Sequence, residues 1–220
     1  MSEGCFTRQH RIIGIVTARV YIVLSVIYAV NTMLGLLSLK SPDEPIGDPY
    51  FTIMELLIIL IAPLLVIIMI TIHAYASDEM KALGLAAVVF MGIAAGMTSG
   101  VHFIILTVQN QLESTLTTGR QLFLSFTWPS MAYALDILAW DVFFALSMIL
   151  AAFVFRRGRL EKAVRTLMIT SGVLSFLGIA GVPLSNMTIR NIGIAGYAVV
   201  APVAILFYSI ACGRVKGTNK

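Results

Sequence analysis

Residues 50–75 read YFTIMELLIILIAPLLVIIMITIHAY. The stretch holds one carboxylate, Glu55, and neither lysine nor arginine. A helix rises 1.5 Å per residue, so about 20 such residues cross the roughly 30 Å of hydrocarbon in a bilayer. A barrel strand would alternate polar and apolar positions, and this run does not. An α-helix is the remaining way to satisfy every backbone N–H and C=O inside lipid.

Five further stretches share this character. Read outward from the one above, the expected spans are 12–39, 50–75, 82–108, 128–155, 166–184 and 192–212. The fold class is therefore an all-α, polytopic membrane bundle of six transmembrane helices, forming a single domain over residues 1–220. Composition agrees. Of 220 residues, 59% are hydrophobic and 12% charged, against about 25% charged in an ordinary soluble domain. That excludes a soluble globule and a disordered chain. Cys5 and Cys212 are the only cysteines, too few for a disulfide scaffold or a thiolate metal site. Arg8 and Arg11 precede the first span as in a signal peptide. The apolar run is too long for one, and a retained helix is expected.

The net charge of +4 does not point to nucleic acid, because the basic residues gather beside the spans. With the N-terminus inside, the inner side holds Arg8, Arg11, Arg19, Lys81, Arg156, Arg157, Arg159, Lys162, Arg165, Arg214, Lys216 and Lys220. The outer side holds Lys40, Arg120 and Arg190. Lysine and arginine stay on the cytoplasmic side. This predicts a multi-pass protein of the cell membrane with both termini in the cytoplasm. The outer loop 109–127 contains an amphipathic stretch, 121–126, suited to the interface. Asn186-Met187-Thr188 fits the glycosylation acceptor pattern, which occurs often by chance.

Gly92, Gly96 and Gly100 recur every fourth residue in the third span. Such a stripe lets another backbone approach closely. Packing within the bundle is the first expectation, and a homo-oligomer through this face is the alternative. Gly172, Gly178 and Gly181, with Gly193 and Gly196, predict a close pairing of the last two helices.

The polar residues inside the spans carry the functional information. A charge at mid-bilayer costs about 2.5–3.5 kcal/mol on insertion scales. Glu55 lies roughly 7 Å, His102 roughly 10 Å and Asp136 roughly 12 Å from the outer helix ends, with Asn31 at similar depth. Four helices thus bring polar groups to one level, and mutual contact would offset their burial. Tyr133, Asp136, Trp140 and Phe144 follow three- and four-residue spacing and form one stripe. Asp141 lies near 19 Å, close to the midplane. At 100° per residue it points about 140° away from Asp136, so the two are not expected to form one ligand pair. A protonated Asp141 is expected among Tyr28, Thr98, Ser99, Ser171 and Ser175.

Several chemistries are excluded. No span interior offers a lysine for a retinal Schiff base. His102 is the one histidine deep in a span, so bis-histidine haem is not expected, and no zinc cluster accompanies it. Phosphate-binding and dinucleotide-binding glycine motifs are absent, as is a nucleophile elbow. No cofactor and no metal are expected.

Two stretches carry a resemblance. Tyr133-Ala-Leu-Asp136, Asp141-Val-Phe-Phe144 and Phe155-Arg-Arg-Gly158, followed by the apolar run from Leu167 to Gly178, resemble uncharacterised prokaryotic six-helix integral membrane proteins. The resemblance implies six helices and a prokaryotic origin, and it carries over no functional residue.

The leading expectation is a small transporter or ligand-binding bundle. Its outward-facing polar pocket would be built by Asn31, Glu55, His102, Tyr133, Asp136 and Trp140, with Asp141 as a deeper protonatable group. The lipid bilayer is the expected surrounding, and a small polar or cationic ligand the expected guest. Two alternatives stay open. One is an enzyme modifying a lipid or isoprenoid, with the same groups in acid–base roles. The other is a structural or partner subunit of a membrane complex, with the polar cluster as interhelical glue.

Overall fold

The computed structural model describes residues 6–41, 44–108, 122–126 and 128–214. Most of the loop 109–127 therefore lies outside the described residues, as do Cys5, Arg120, Lys216 and Lys220. Six helices are long and apolar enough to cross a membrane, and the protein is a multi-pass membrane protein. They are α1 (Arg8–Leu37), α2 (Tyr50–Tyr75), α3 (Lys81–Val108), α4 (Met131–Ala152), α5 (Gly158–Gly178) and α6 (Met187–Arg214). Each packs against its chain neighbours, and α6 returns against α1 to close a ring. Leu65, Ile68, Met69, Met91, Phe144, Met148, Met168, Ile205 and Tyr208 fill its centre, each almost wholly buried. The outer face is apolar, with Val23, Leu60, Val89, Phe103, Leu177 and Val199 exposed, as a lipid-facing surface must be.

Caps set where the helices begin. The Thr7 hydroxyl accepts from the His10 N–H at 3.2 Å, and the Thr7 N–H donates to His10 Nδ1 at 3.3 Å. Ser130 Oγ accepts from the Tyr133 N–H at 3.1 Å, and Asn186 Oδ1 from the Ile189 N–H at 3.2 Å. Each satisfies an orphan donor of the first turn. Asn186 changes the sequence expectation. α6 starts at Met187 rather than at residue 192, because Asn186 is its helix cap. Arg190 is therefore not a loop residue but lies inside a span. α5 likewise starts at Gly158, eight residues before its expected boundary. Gly158 adopts φ +75°, a left-handed conformation that glycine tolerates. Glu161 then accepts from the N–H groups of Arg156 and Arg157 at 2.9 and 2.6 Å, and from Tyr75 Oη at 2.5 Å.

Two helices depart from α geometry. α4 is a π-helix over Leu138–Phe144, and α6 over Ala195–Val200. In α6 the cause is legible. Pro202 has no N–H for the carbonyl four residues back, so the ladder upstream is free to widen. Within the widened turn the Gly196 carbonyl accepts from Ser171 Oγ at 2.9 Å. No residue within 138–144 explains the π turn of α4.

The glycines divide into two groups. A Cβ on Gly178 would stand 2.8 Å from Gly193 Cα, and one on Gly196 would stand 2.6 Å from the Ser171 carbonyl. The α5–α6 seam is thus a backbone-to-backbone contact, as the spacing predicts. The stripe in α3 is different. A Cβ on Gly92, Gly96 or Gly100 meets nothing within 4 Å. Packing within the bundle is the wrong expectation for that face, which looks outward.

Most of the lysines and arginines share one end, whereas Arg19 lies exposed eleven residues into α1. Arg8, Arg11, Lys81, Arg156, Arg157, Arg159, Lys162, Arg165 and Arg214 stand at or near the same end of the bundle. The buried ionisable groups Glu55, His102, Asp136 and Arg190 lie toward the opposite helix ends.

Candidate functional site

Glu55 sits in the second turn of α2, and His102 lies two turns before the end of α3. Asp136 sits in the second turn of α4, so the alternating helix directions bring all three to one level. The structure joins them. His102 Nδ1 is 2.8 Å from Glu55 Oε2, and His102 Nε2 is 3.5 Å from Asp136 Oδ1. Asp136 Oδ1 also accepts from Thr98 Oγ1 at 2.7 Å and from Trp140 Nε1 at 3.1 Å. Trp140 Nε1 lies equally close to Thr98 Oγ1, at 3.1 Å. One imidazole thus presents each of its nitrogens to a carboxylate from a different helix. Such a ring gains a proton at one nitrogen and releases one from the other, so the chain can relay a proton.

The cluster is enclosed rather than open. Glu55 is 2% exposed, His102 6% and Asp136 8%. The Phe126 ring lies over His102 at 4.9 Å and stands edge-on to Tyr133 at 6.2 Å. An apolar crevice lined by Ala62, Leu65, Met91 and Ala94 reaches Thr98 and Trp140 from the bundle interior. No outward-opening pocket is seen at this cluster among the described residues.

Three expected members lie elsewhere. Asn31 is buried, but its Nδ2 donates to the Tyr50 carbonyl at 2.9 Å. It fastens α1 to the start of α2 and touches neither His102 nor the acids by hydrogen bond. Asn31→Ala should cost about 0.5–1.5 kcal/mol by removing that interhelical hydrogen bond, while leaving the His102 contacts intact. A thermal unfolding curve beside a proton-flux assay checks both halves.

Asp141 and Tyr133 belong to a second cluster whose centre is Arg190. Asp141 Oδ2 is 3.6 Å from Arg190 Nε, and both residues are buried. Tyr133 lies on the guanidinium at 5.0 Å, and Tyr197 at 5.8 Å. The Trp140 and Tyr197 rings lie 5.0 Å apart at a 31° tilt, which ties the two clusters together. A Cβ on Gly193 would meet Asp141 Oδ1 at 2.6 Å, and one on Gly181 would meet the Arg190 N at 2.5 Å. These two glycines make room for the pair. The expected surroundings of Asp141 lacked Arg190, its principal partner. Asn186 ahead of an apolar run was the signal that would have placed Arg190 inside the span.

Asp136 and Asp141 serve different clusters, although not for the reason that α-helical spacing gives. The π turn between them bonds i to i+5 instead of i to i+4, so the angle separating them is smaller than α-helical arithmetic gives. No group of three or more histidine, cysteine or acidic side chains suited to a metal occurs among the described residues. Comparison of the chain with known protein families, with curated proteins and with solved structures finds no match.

Proposed function

We propose that the protein is a small transporter or ligand-binding bundle of the cell membrane, in which Glu55, His102 and Asp136 take up and pass on protons. In this reading both termini face the cytoplasm and the polar clusters lie toward the outer side. Moving Arg190 out of the loops leaves Lys40 and Arg120 as the outer basic residues, which sharpens the positive-inside bias.

The observation that carries the reading is the imidazole held between two carboxylates, 2.8 and 3.5 Å away, on three different helices. Two acids and one base cannot all be ionised without leaving a net negative charge buried. The cluster therefore favours an additional proton or a cation. A polar cluster that served only as glue would work as well with neutral amides.

The test is proton movement in liposomes. Wild-type protein should dissipate an imposed pH gradient, read by an internal pH-sensitive dye. Glu55→Gln, His102→Ala and Asp136→Asn should each reduce the rate at least tenfold. Equal rates in all three variants would end the proposal. A second reading, a partner subunit whose cluster fastens α2, α3 and α4, draws on the closure beneath Phe126. Stoichiometric co-purification of another membrane protein, with tolerance of His102→Ala, favours it.

A further inference from the structure

Asp141, Ser175 and Arg190 come from α4, α5 and α6, and the proton chain uses none of them directly. Asp141 and Ser175 are completely buried, and Arg190 is 2% exposed. The 3.6 Å between Asp141 Oδ2 and Arg190 Nε is longer than a hydrogen bond. Both Asp141 oxygens, Ser175 Oγ, and Arg190 Nε and Nη2 have no hydrogen-bond partner. Buried polar atoms are nearly always partnered, and buried charges above all. Five buried polar atoms on three adjoining helices thus lack a hydrogen bond, and two of them are held only by the ion pair.

The shape of the deficit names the ligand. Nε and Nη2 form one edge of the guanidinium fork, whose two donors match the two oxygens of a carboxylate. The rings of Tyr133 and Tyr197 occupy its faces, so the edge is the part left for recognition. Asp141 holds that edge only as an ion pair, with Oδ2 3.6 Å from Nε and no hydrogen bond between them.

Charge then sets the stoichiometry. Asp141 and Arg190 together are neutral. An anion added alone leaves the site at −1, and a proton added alone leaves it at +1. Either state buries an uncompensated charge, which is strongly unfavourable. One anion with one proton keeps the site neutral. We infer that Arg190 anchors a small monocarboxylate, which replaces Asp141 at the guanidinium edge as one proton moves onto Asp141.

The proton ends as an O–H bond on Asp141, and no electron is transferred. The charged groups bearing on Asp141 are Arg190 and Asp136. Those bearing on Arg190 are Asp141 and Asp136, with the phenols of Tyr133 and Tyr197 and that of Tyr28 from α1. The tyrosines ordinarily titrate near pH 10 and stay neutral here. Asp136, bound to His102, is the acidic neighbour that bears on both residues, and in the reading above it is taken as the proton's route. That route rests on the function proposed above, whereas the neutrality argument does not.

Binding is measured on the purified full-length protein in detergent, from pH 6 to pH 8. Sodium acetate and propionate are the probes, sodium chloride is the ionic-strength control, and the melting temperature is read. Acetate should raise it where chloride does not. The half-effective acetate concentration should rise about tenfold per pH unit, the linkage of one proton to one anion. Asp141→Asn, already neutral, should bind acetate with no pH dependence. Arg190→Lys, which keeps the charge but loses the fork, should weaken binding at least tenfold. A pH-independent wild type, unchanged binding in Arg190→Lys, or no carboxylate effect in wild type would each overturn the inference. The wild-type titration decides even if a variant fails to fold. Glu55→Gln separates this inference from the proton chain. Acetate binding that persists while proton flux is lost in no variant sinks the relay alone. Proton flux that depends on the relay, with no acetate effect, sinks the carboxylate site alone.

Discussion

Asp141→Ala is expected to destabilise the protein by about 3–5 kcal/mol, the cost of leaving a buried charge without its partner. Arg190 is 2% exposed and flanked by two tyrosine rings, so its guanidinium has no short path to water. The pair itself is weak evidence of stability, since Nε and Oδ2 stand 3.6 Å apart. Replacing both members with leucine should therefore recover most of the loss, because apolar substitutes for a buried pair are often neutral or stabilising. Reversible unfolding in mixed micelles measures both. Equal losses in the single and double variants would mean that shape, not charge, matters at this position. Acetate offers a further check, since an anion that supplies the missing countercharge should restore part of the loss by mass action.

The second large effect comes from one methyl group placed at two glycines. Gly193→Ala should destabilise by about 1–3 kcal/mol or more, as overpacking does. Its Cβ would lie 2.6 Å from Asp141 Oδ1, and Gly178 already abuts the backbone there. Gly96→Ala meets nothing within 4 Å. It should be neutral or stabilise by up to about 1 kcal/mol, through the better helix propensity of alanine. Unfolding of the two variants under identical conditions decides the matter. A loss at Gly96 equal to that at Gly193 would show that the outward stripe of α3 is covered, and the particle mass would then reveal whether a second copy covers it.

The six spans were legible because the energetic penalty of polar backbone and charge in lipid is large and leaves little choice of structure. Residues 50–75 and α2 coincide at both ends. The level shared by Glu55, His102 and Asp136 was legible too, since depth follows from counting residues along a helix. The true neighbours of Asp141 were not. They required Asn186 to be read as a cap rather than as the head of an acceptor triplet, a choice that moves Arg190 from water into the bundle. The π turns were equally hidden in α4, where no proline marks them.

The amino-acid sequence alone determined a membrane bundle with a basic end and a set of acids that needed partners. Hydropathy and charge act locally, and each residue declares its own preference for oil or water. Only the tertiary structure decided the pairings. It gave His102 to two acids, Asn31 to a backbone carbonyl and Asp141 to Arg190. It also turned one glycine stripe outward and locked the others into the α5–α6 seam. Partner choice depends on helix rotation and closest approach, which emerge when six helices settle against one another.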